Sequence, residues 1–305
     1  MDANRVIRRA GSAFPFAFVG CWNRRHPARD AVLEAMRDDP VAKHLTVLGG
    51  DNYYDLGKDP VTKAKSHDPS VITEGFGALA ALPVILAFGN HNIEQADGFD
   101  AEALERAAAV AAGWIVGAGP ERYYEVAYDD VSFIILDTNL CAPDQRPAFD
   151  AMMTWLQGRV ATKAPKTYYV VQHEPIVAAK QKKGTSIIAL TFGNEILAAV
   201  QKSPPIAILS ADTHSWHIVG LMQPAAGPPV LQLVVGTGGA RPDVTDWSDP
   251  AYAANQVVAD FGSTVSARVF PPAIPDRYGY IRVLTRSDIQ FVPVGDPQPK
   301  ISHSR

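Results

Sequence analysis

Val47-Leu48-Gly49-Gly50-Asp51-Asn52-Tyr53-Tyr54 decides how this chain is read. With Leu45 just upstream, an apolar run meets two glycines, then a carboxylate, an amide and two phenols. The pattern predicts a buried strand that ends in a tight turn and presents polar side chains. Glycine allows the sharp turn that brings Asp51 to the strand's carboxyl end. In open α/β sheets, ligands sit at that edge.

The same pattern recurs in both directions from this stretch. Phe14 to Gly20 runs into Cys21-Trp22-Asn23, and Val84 to Gly89 runs into Asn90-His91-Asn92. Tyr168 to Gln172 runs into His173-Glu174-Pro175, and Ile206 to Ala211 runs into Asp212-Thr213-His214. One apolar strand ending in Asp, Asn, His or Cys is ordinary. Five such endings point to strand ends converging on one metal site.

Between these strands, helical spacing of apolar residues predicts helices over 28–37, 71–81, 100–112, 147–160 and 192–200. Residues 122–128 and 131–138 flank Asp129-Asp130 as a hairpin with an acidic turn. The polar, Pro-containing stretch 55–70 and the Lys- and Gly-containing stretch 180–184 read as loops. Strands are expected at 218–221 and 230–235, followed by a sharp turn at Gly236-Thr237-Gly238-Gly239. That turn lacks the lysine and following helix of a phosphate loop. Residues 241–275 read as irregular, and 278–284 with 289–294 close the chain as a hairpin. Strand and helix alternate early and strands dominate late. The expected architecture is an α/β fold, a two-sheet αββα sandwich. We read 1–305 as a single domain, with the motifs within 14–240 and a C-terminal loop and closing hairpin over 241–305.

Composition narrows the function. The chain has 305 residues, 47% hydrophobic and 20% charged, which suits a globular protein with a sizeable core. A net charge of -4 without a long basic block argues against nucleic acid as a bulk partner. No apolar run is long enough to span a bilayer, so no membrane partner is expected. Arg5, Arg8 and Arg9 ahead of Phe14 to Val19 imitate a signal peptide, but the run is short and contains Pro15, so it reads as the first strand. The expected location is cytoplasmic. Two cysteines, Cys21 and Cys141, exclude a disulfide framework.

Asp, Asn and His donors suit Mn, Fe or Zn. A carboxylate such as Asp51 can bridge two metals, and paired metals activate water and clamp a phosphoryl oxygen. A neighbouring histidine that is not a ligand can protonate the leaving oxygen, and His91 is the natural candidate. Glu174 could act as a base or be a solvated loop residue. Arg24 and Arg25 could hold an anionic substrate, and His217 could reach it. The plainer readings are a solvated turn and an ordinary strand histidine.

At this point a resemblance emerges. Gly50-Asp51-Asn52-Tyr53-Tyr54, Gly89-Asn90-His91-Asn92 and Val170-Val171-Gln172-His173 match, in order, motifs of the calcineurin-like metallophosphoesterases. The chain most resembles their purple acid phosphatase branch over residues 14–240. The resemblance implies a hydrolase of phosphate mono- or diesters, attack by metal-bound hydroxide, His91 as general acid, and one or two transition metals (Fe, Zn or Mn). It implies a small phosphorylated substrate as partner. Asp51 would bridge, the second metal would take Asn90, His173 and Asp212, and the first would take Tyr54, His214 and Cys21. The third motif ends in Asn92 rather than an acid. Cys21 stands where the first motif has a metal-binding Asp, and Asp212 where the fifth has its first His. A thiolate favours Zn or Fe over Mg or Mn. Asn23 is an alternative oxygen ligand, and Cys21 as a small buried thiol is an equal alternative. Iron(III) on Tyr54 would give colour. These two replacements also motivate a rival: a protein that keeps the fold as a binding module, or for a different metal-dependent reaction.

Overall fold

The computed structural model describes residues 14–55, 66–93, 95–96, 99–128, 130–182, 185–222, 229–243, 247, 252, 256–260, 263–272 and 277–295. In chain order, the first part contains β1 (Phe16–Val19), α1 (Pro27–Asp38), α2 (Pro40–His44), β2 (Thr46–Gly49), α3 (Ser70–Leu79) and β3 (Val84–Ala87). The short pair β4 (Gln95–Ala96) and β5 (Phe99–Asp100), α4 (Ala101–Ala111), β6 (Tyr124–Ala127), β7 (Ser132–Ile135) and α5 (Arg146–Val160) follow. Next come β8 (Tyr168–Val171), β9 (Val177–Lys182), β10 (Thr185–Ala189), α6 (Gly193–Gln201) and β11 (Ile208–Ser210). The chain closes with β12 (Trp216–Met222), β13 (Val230–Val235), β14 (Gln256–Asp260), β15 (Ser263–Phe270), β16 (Tyr278–Val283) and β17 (Ile289–Val294).

Two large sheets result, ordered β17-β16-β1-β2-β3 and β14-β15-β12-β13-β11-β8-β7-β6. Side chains alternate across each strand, so each strand feeds two layers. Phe16, Phe18, Val47, Ile85 and Ala87 meet Phe133, Ile135, Tyr169, Val171, Leu209, Leu233 and Val235 between the sheets. Their neighbours point outward. Ala17, Val19, Leu48 and Leu86 pack with Val32 and Met36 of α1 and Phe76 of α3. Ile134, Val170, Ile208 and Val234 pack with Phe149 and Leu156 of α5 and Leu197 of α6. Strands apolar on both faces need cover on both faces. The outcome is the expected αββα sandwich. At its centre Phe16 meets Phe133 edge-on at 5.0 Å and Tyr169 at 4.9 Å.

The parallel runs β1-β2-β3 and β7-β8-β11-β13 give both sheets a common carboxyl edge. Backbone bonds join the two sheets there: Gly20 N–H donates to Val235 O and Gly238 N–H to Gly20 O. The five expected helices form within two residues of their anticipated bounds.

Two segments differ from expectation. Lys180 lies in β9, antiparallel to β10, not in a loop. Within 241–275, β14 and β15 extend the second sheet, because Val265, Ala267 and Val269 alternate onto its buried face. Residues 56–65 of the loop expected over 55–70, the turn residue Asp129, and Arg5, Arg8 and Arg9 lie outside the described residues. Among the described residues, no helix is long and apolar enough to cross a membrane.

Candidate metal centre

Three strands end abruptly. Cys21, Asp51 and Asp212 follow β1, β2 and β11, and each is left-handed, with φ of 51°, 54° and 47°. Only five non-glycine residues among those described do this, so three of the five gather at one edge. A left-handed L-residue costs about 1–2 kcal/mol, and such strain clusters at functional sites. Gly50 precedes Asp51 with φ of 96°, and a Cβ there would strike the His173 ring. A Cβ on Gly89 would strike the Asp51 carboxylate.

These approaches bring three acceptors together. His173 is fully buried, with Nδ1 2.9 Å from Gly49 O. A carbonyl only accepts, so Nδ1 carries the proton and donates, which turns the Nε2 lone pair into the site. There it faces Asp51 Oδ1 at 3.2 Å and Asn90 Oδ1 at 3.1 Å. Three lone pairs aimed at one another need a proton or a cation between them. Without a metal, a proton serves: burial opposes charge on His173, but Asp51 beside it prevails and lifts the imidazole to about 9. Reciprocally, burial works against the Asp51 charge, yet His173 holds that carboxyl well below the usual range.

Cys21 completes the nearest donor group. Its Sγ, an Asp51 oxygen and a His173 nitrogen lie within 4.8 Å of one another. The thiol is 3.9 Å from Asp51 Oδ2 and packs with Tyr54, Ala211 and Ala240. Burial, and then Asp51 and Asp212, push it well above its ordinary value. A cation would have to displace its proton. The other expected ligands of the first metal bond to each other. His214 Nδ1 donates to Arg241 O at 2.8 Å, which leaves its Nε2 3.3 Å from the Tyr54 hydroxyl, a group that also bonds Asp51 and Cys21. Burial raises Tyr54 and lowers His214, which keeps the pair neutral.

Asp212 is engaged differently. Lys180 Nζ sits 2.9 Å from its Oδ2, in a pair only about a fifth exposed. Burial disfavours the ammonium, but Asp212 outweighs burial and keeps it charged. Glu174 stands near the same group; burial first, then Asp212, raise its carboxyl to about 7.

A second layer steadies Asp51. Asn92 Oδ1 accepts from Asp51 N–H at 3.0 Å and from Gly89 N–H, while its amide donates to buried Glu105. Asn52 donates to Ala87 O and Glu105 and accepts from Trp22 Nε1. Burial raises Glu105 well above the usual carboxyl range. The carboxyl expected at the end of the third motif is thus present one step further out, reached through Asn92. His91 gives its backbone N–H to Asp51 Oδ1 at 3.2 Å, and its ring lies 4.6 Å from Tyr54.

Three expected residues, Asn23, Arg25 and His217, fall elsewhere. Asn23 spends its amide on Asn52 O and Val71 O, because the chain has already turned beneath α3. Arg25 is paired with Asp68 and Glu74. His217 is fully buried, accepts from Ala179 N–H at Nε2 and bonds Ser215 at Nδ1; burial lowers it to about 3. It therefore has no face toward a substrate. Cys141 lies in the outer core of the second sheet, apart from the group around Cys21. Arg24 remains at the mouth, its guanidinium 5.9 Å from the Tyr54 ring centre. Sequence reading missed Lys180 and Glu105. Both lie in regular elements whose spacing carries no signal for a site.

No known family profile matches the chain, and no curated protein matches it. Solved structures do. One is GAP50, the anchor in the inner membrane complex of Plasmodium (13% identity, TM-score 0.51, 94% of this chain and 91% of that one). Another is purple acid phosphatase PPD1 from yellow lupin (Lupinus luteus) seeds (12%, 0.59, 95% and 53%). A third is PhoD (14%, 0.55, 95% and 73%). The chain spans about half the length of the lupin protein. The fold is therefore of the metallophosphoesterase type.

Proposed function

We propose that this chain is a metal-dependent hydrolase of phosphate mono- or diesters. The reading rests on one observation above the rest. His173 Nε2 faces Asp51 Oδ1 and Asn90 Oδ1, three acceptors that a cation would reconcile. Asp51, Asn90 and His173 would hold that ion, with Cys21 the nearest further donor. A nitrogen, oxygen and sulfur set of this kind suits Zn or Fe. When bound, such an ion supplies water activation and polarisation of a phosphoryl oxygen.

The remaining steps belong to the chain's own residues. The His91 backbone holds Asp51 and its ring lies against Tyr54, and in this reading His91 would deliver a proton to the leaving oxygen. Arg24 offers a guanidinium to an anionic substrate at the same mouth. Glu174, with a pKa of about 7, can hold or release a proton near neutrality.

The test is hydrolysis of p-nitrophenyl phosphate and bis(p-nitrophenyl) phosphate by protein loaded with Zn, Fe or Mn. His91→Ala is expected to lose roughly 100- to 10,000-fold in turnover while metal content stays unchanged. Undiminished turnover in that variant removes His91 from the chemistry, and no hydrolysis by any loaded form removes the function. One observation favours a second reading, a binding protein without turnover: Asp212 is already neutralised by Lys180. GAP50, similar in fold, is described as an anchor. The same assay separates the two.

A further inference from the structure

We propose that the open edge of β6 is a docking site for one extended, apolar peptide segment of another protein, which adds to the second sheet as a further strand. The inference does not rest on the metal centre. None of the residues that form the groove is among the donors around Asp51.

The two sheets end on this side of the sandwich at β3 and at β6. The β3 edge is occupied. Ile115 N–H donates to Val84 O at 2.7 Å, and Ile115 O accepts from Leu86 N–H at 3.0 Å. At the other end of the first sheet, β17 sets Pro293 opposite Gly279, whose N–H turns away to donate to Thr237 O. That pair exchanges no bonds, so Pro293 aims its missing N–H at the open edge and blunts it. β6 carries no such guard. Tyr128 N–H donates to Val131 O at 2.8 Å, which makes this a bonded pair of the β6–β7 hairpin. Bonded and unbonded pairs alternate, so Tyr124 and Val126 bond to β7 while Glu125 and Ala127 turn their backbone N–H and C=O outward. Among the described residues, no strand pairs with that edge.

The edge lies at the floor of a groove. A cavity of about 770 Å³ is lined by Ala107 and Val110 of α4, by Trp114 and Val116 beyond it, and by Tyr124 and Val126. Val110 is 68% exposed, and Ala107 and Ala111 beside it are exposed too. Soluble surfaces rarely gather apolar groups in this way without a use for them. By contrast Tyr124, Glu125 and Val126 are buried, although their strand ends the sheet. This depth selects the occupant. A second copy would have to bring its own β6, equally sunk, and two recessed edges cannot meet, whereas a single extended chain can enter. The charges of the groove are already matched. Arg106 Nε donates to Glu102 at 2.8 Å and Nη1 to Gly117 O at 2.9 Å, and Glu125 is paired with Lys163. A charged segment would find no counter-ion, so the segment that fits is uncharged. Main-chain bonds to Glu125 and Ala127 would supply affinity, and alternate side chains turned toward Trp114, Val116 and Val126 would supply selection.

Fluorescence anisotropy tests this, with a set of capped, fluorescein-labelled hexapeptides that alternate Val, Ile, Leu or Phe with Ser. At least one is expected to bind the full chain saturably below about 1 mM. Val110→Asp and Ala107→Asp, at exposed positions of α4, are each expected to weaken binding at least tenfold. Phe270→Asp, exposed on the distant β15, should leave it unchanged. N-methylation of alternate peptide amides, in two complementary sets, should cost at least tenfold for the set that faces β6. The proposal is overturned if no peptide of the set binds, or if binding persists undiminished in whichever α4 variant is folded. Tolerance of N-methylation in both sets also overturns it, since an apolar pocket without strand addition would remain. So does a dimer of the unmodified chain, seen by analytical ultracentrifugation, that Val110→Asp dissociates, because a second copy would then own the face. Zinc content and hydrolysis are expected to be the same in Val110→Asp as in the unmodified chain, so failure of the proposed function leaves this inference standing, and the reverse.

Discussion

Cys21, at φ of 51°, illustrates how a single residue joins fold and chemistry here. A strained backbone turns it inward at the end of β1, and full burial keeps its thiol protonated until a cation displaces the proton. Cys21→Ser retains shape and backbone but exchanges the soft donor. Zinc affinity should fall at least tenfold, with the unmodified affinity being the result that excludes Cys21 as a ligand. His217 yields a prediction of the opposite kind. Its folded value near 3 lies below the ordinary 6.5, so the fold holds it neutral. Its contribution is present above about pH 6.5 and is lost as pH falls toward 3, because the unfolded chain takes up the proton first. The loss is on the order of 5 kcal/mol. Denaturant titrations of His217→Phe should show a shallower decline of stability between pH 6.5 and 4 than the unmodified chain shows. The donor residues were legible because each stands directly after an apolar run. Lys180 was not, since it joins the site by strand register and not by proximity in sequence.

At the scale of elements, alternation made both sheets readable. Phe16 and Phe18 face one layer while Ala17 and Val19 face the other. Phe16→Ala should cost about 3–5 kcal/mol, measured by urea unfolding, because it empties the contact between the sheets. β14 and β15 were hidden by the Pro, Asp and Ser residues around them, although Val265, Ala267 and Val269 carry the alternation. The junction of α1 and α2 was also invisible. Asp39 closes α1, caps α2 by accepting from Val41 N–H at 2.8 Å, and receives Tyr280 Oη–H at 2.6 Å and Arg282 Nε–H from β16. Although burial opposes its charge, these donors hold its carboxyl below the ordinary value. Asp39→Ala is expected to cost about 2 kcal/mol, and Asp39→Asn less, since the amide retains the cap. Equal losses in the two variants would assign the whole effect to the charge.

Across the whole molecule, the candidate centre joins the two sheets: Asp51 and Asn90 come from the first, His173 from the second. A bound ion therefore stabilises the sandwich as well as the site. At a free zinc concentration 100-fold above Kd, the gain is about 2.7 kcal/mol, or roughly 5–10 °C in Tm. Differential scanning calorimetry with and without EDTA measures it, and coincident transitions would show that the folded chain binds no ion. The topology has a further consequence. β1 pairs with β16, so the first sheet is completed by a strand that lies more than 250 residues later. A ribosome adding 5–20 residues per second leaves the edge of β1 uncovered for about 10–50 s. Over that interval Phe16 and Phe18 lack much of the opposing layer, and the nascent chain presents an adhesive strand edge to its neighbours on the polysome. Slower synthesis lengthens this exposure, so folding yield is expected to fall when translation is slowed without added chaperone, which a comparison of soluble yields at two rates of synthesis measures.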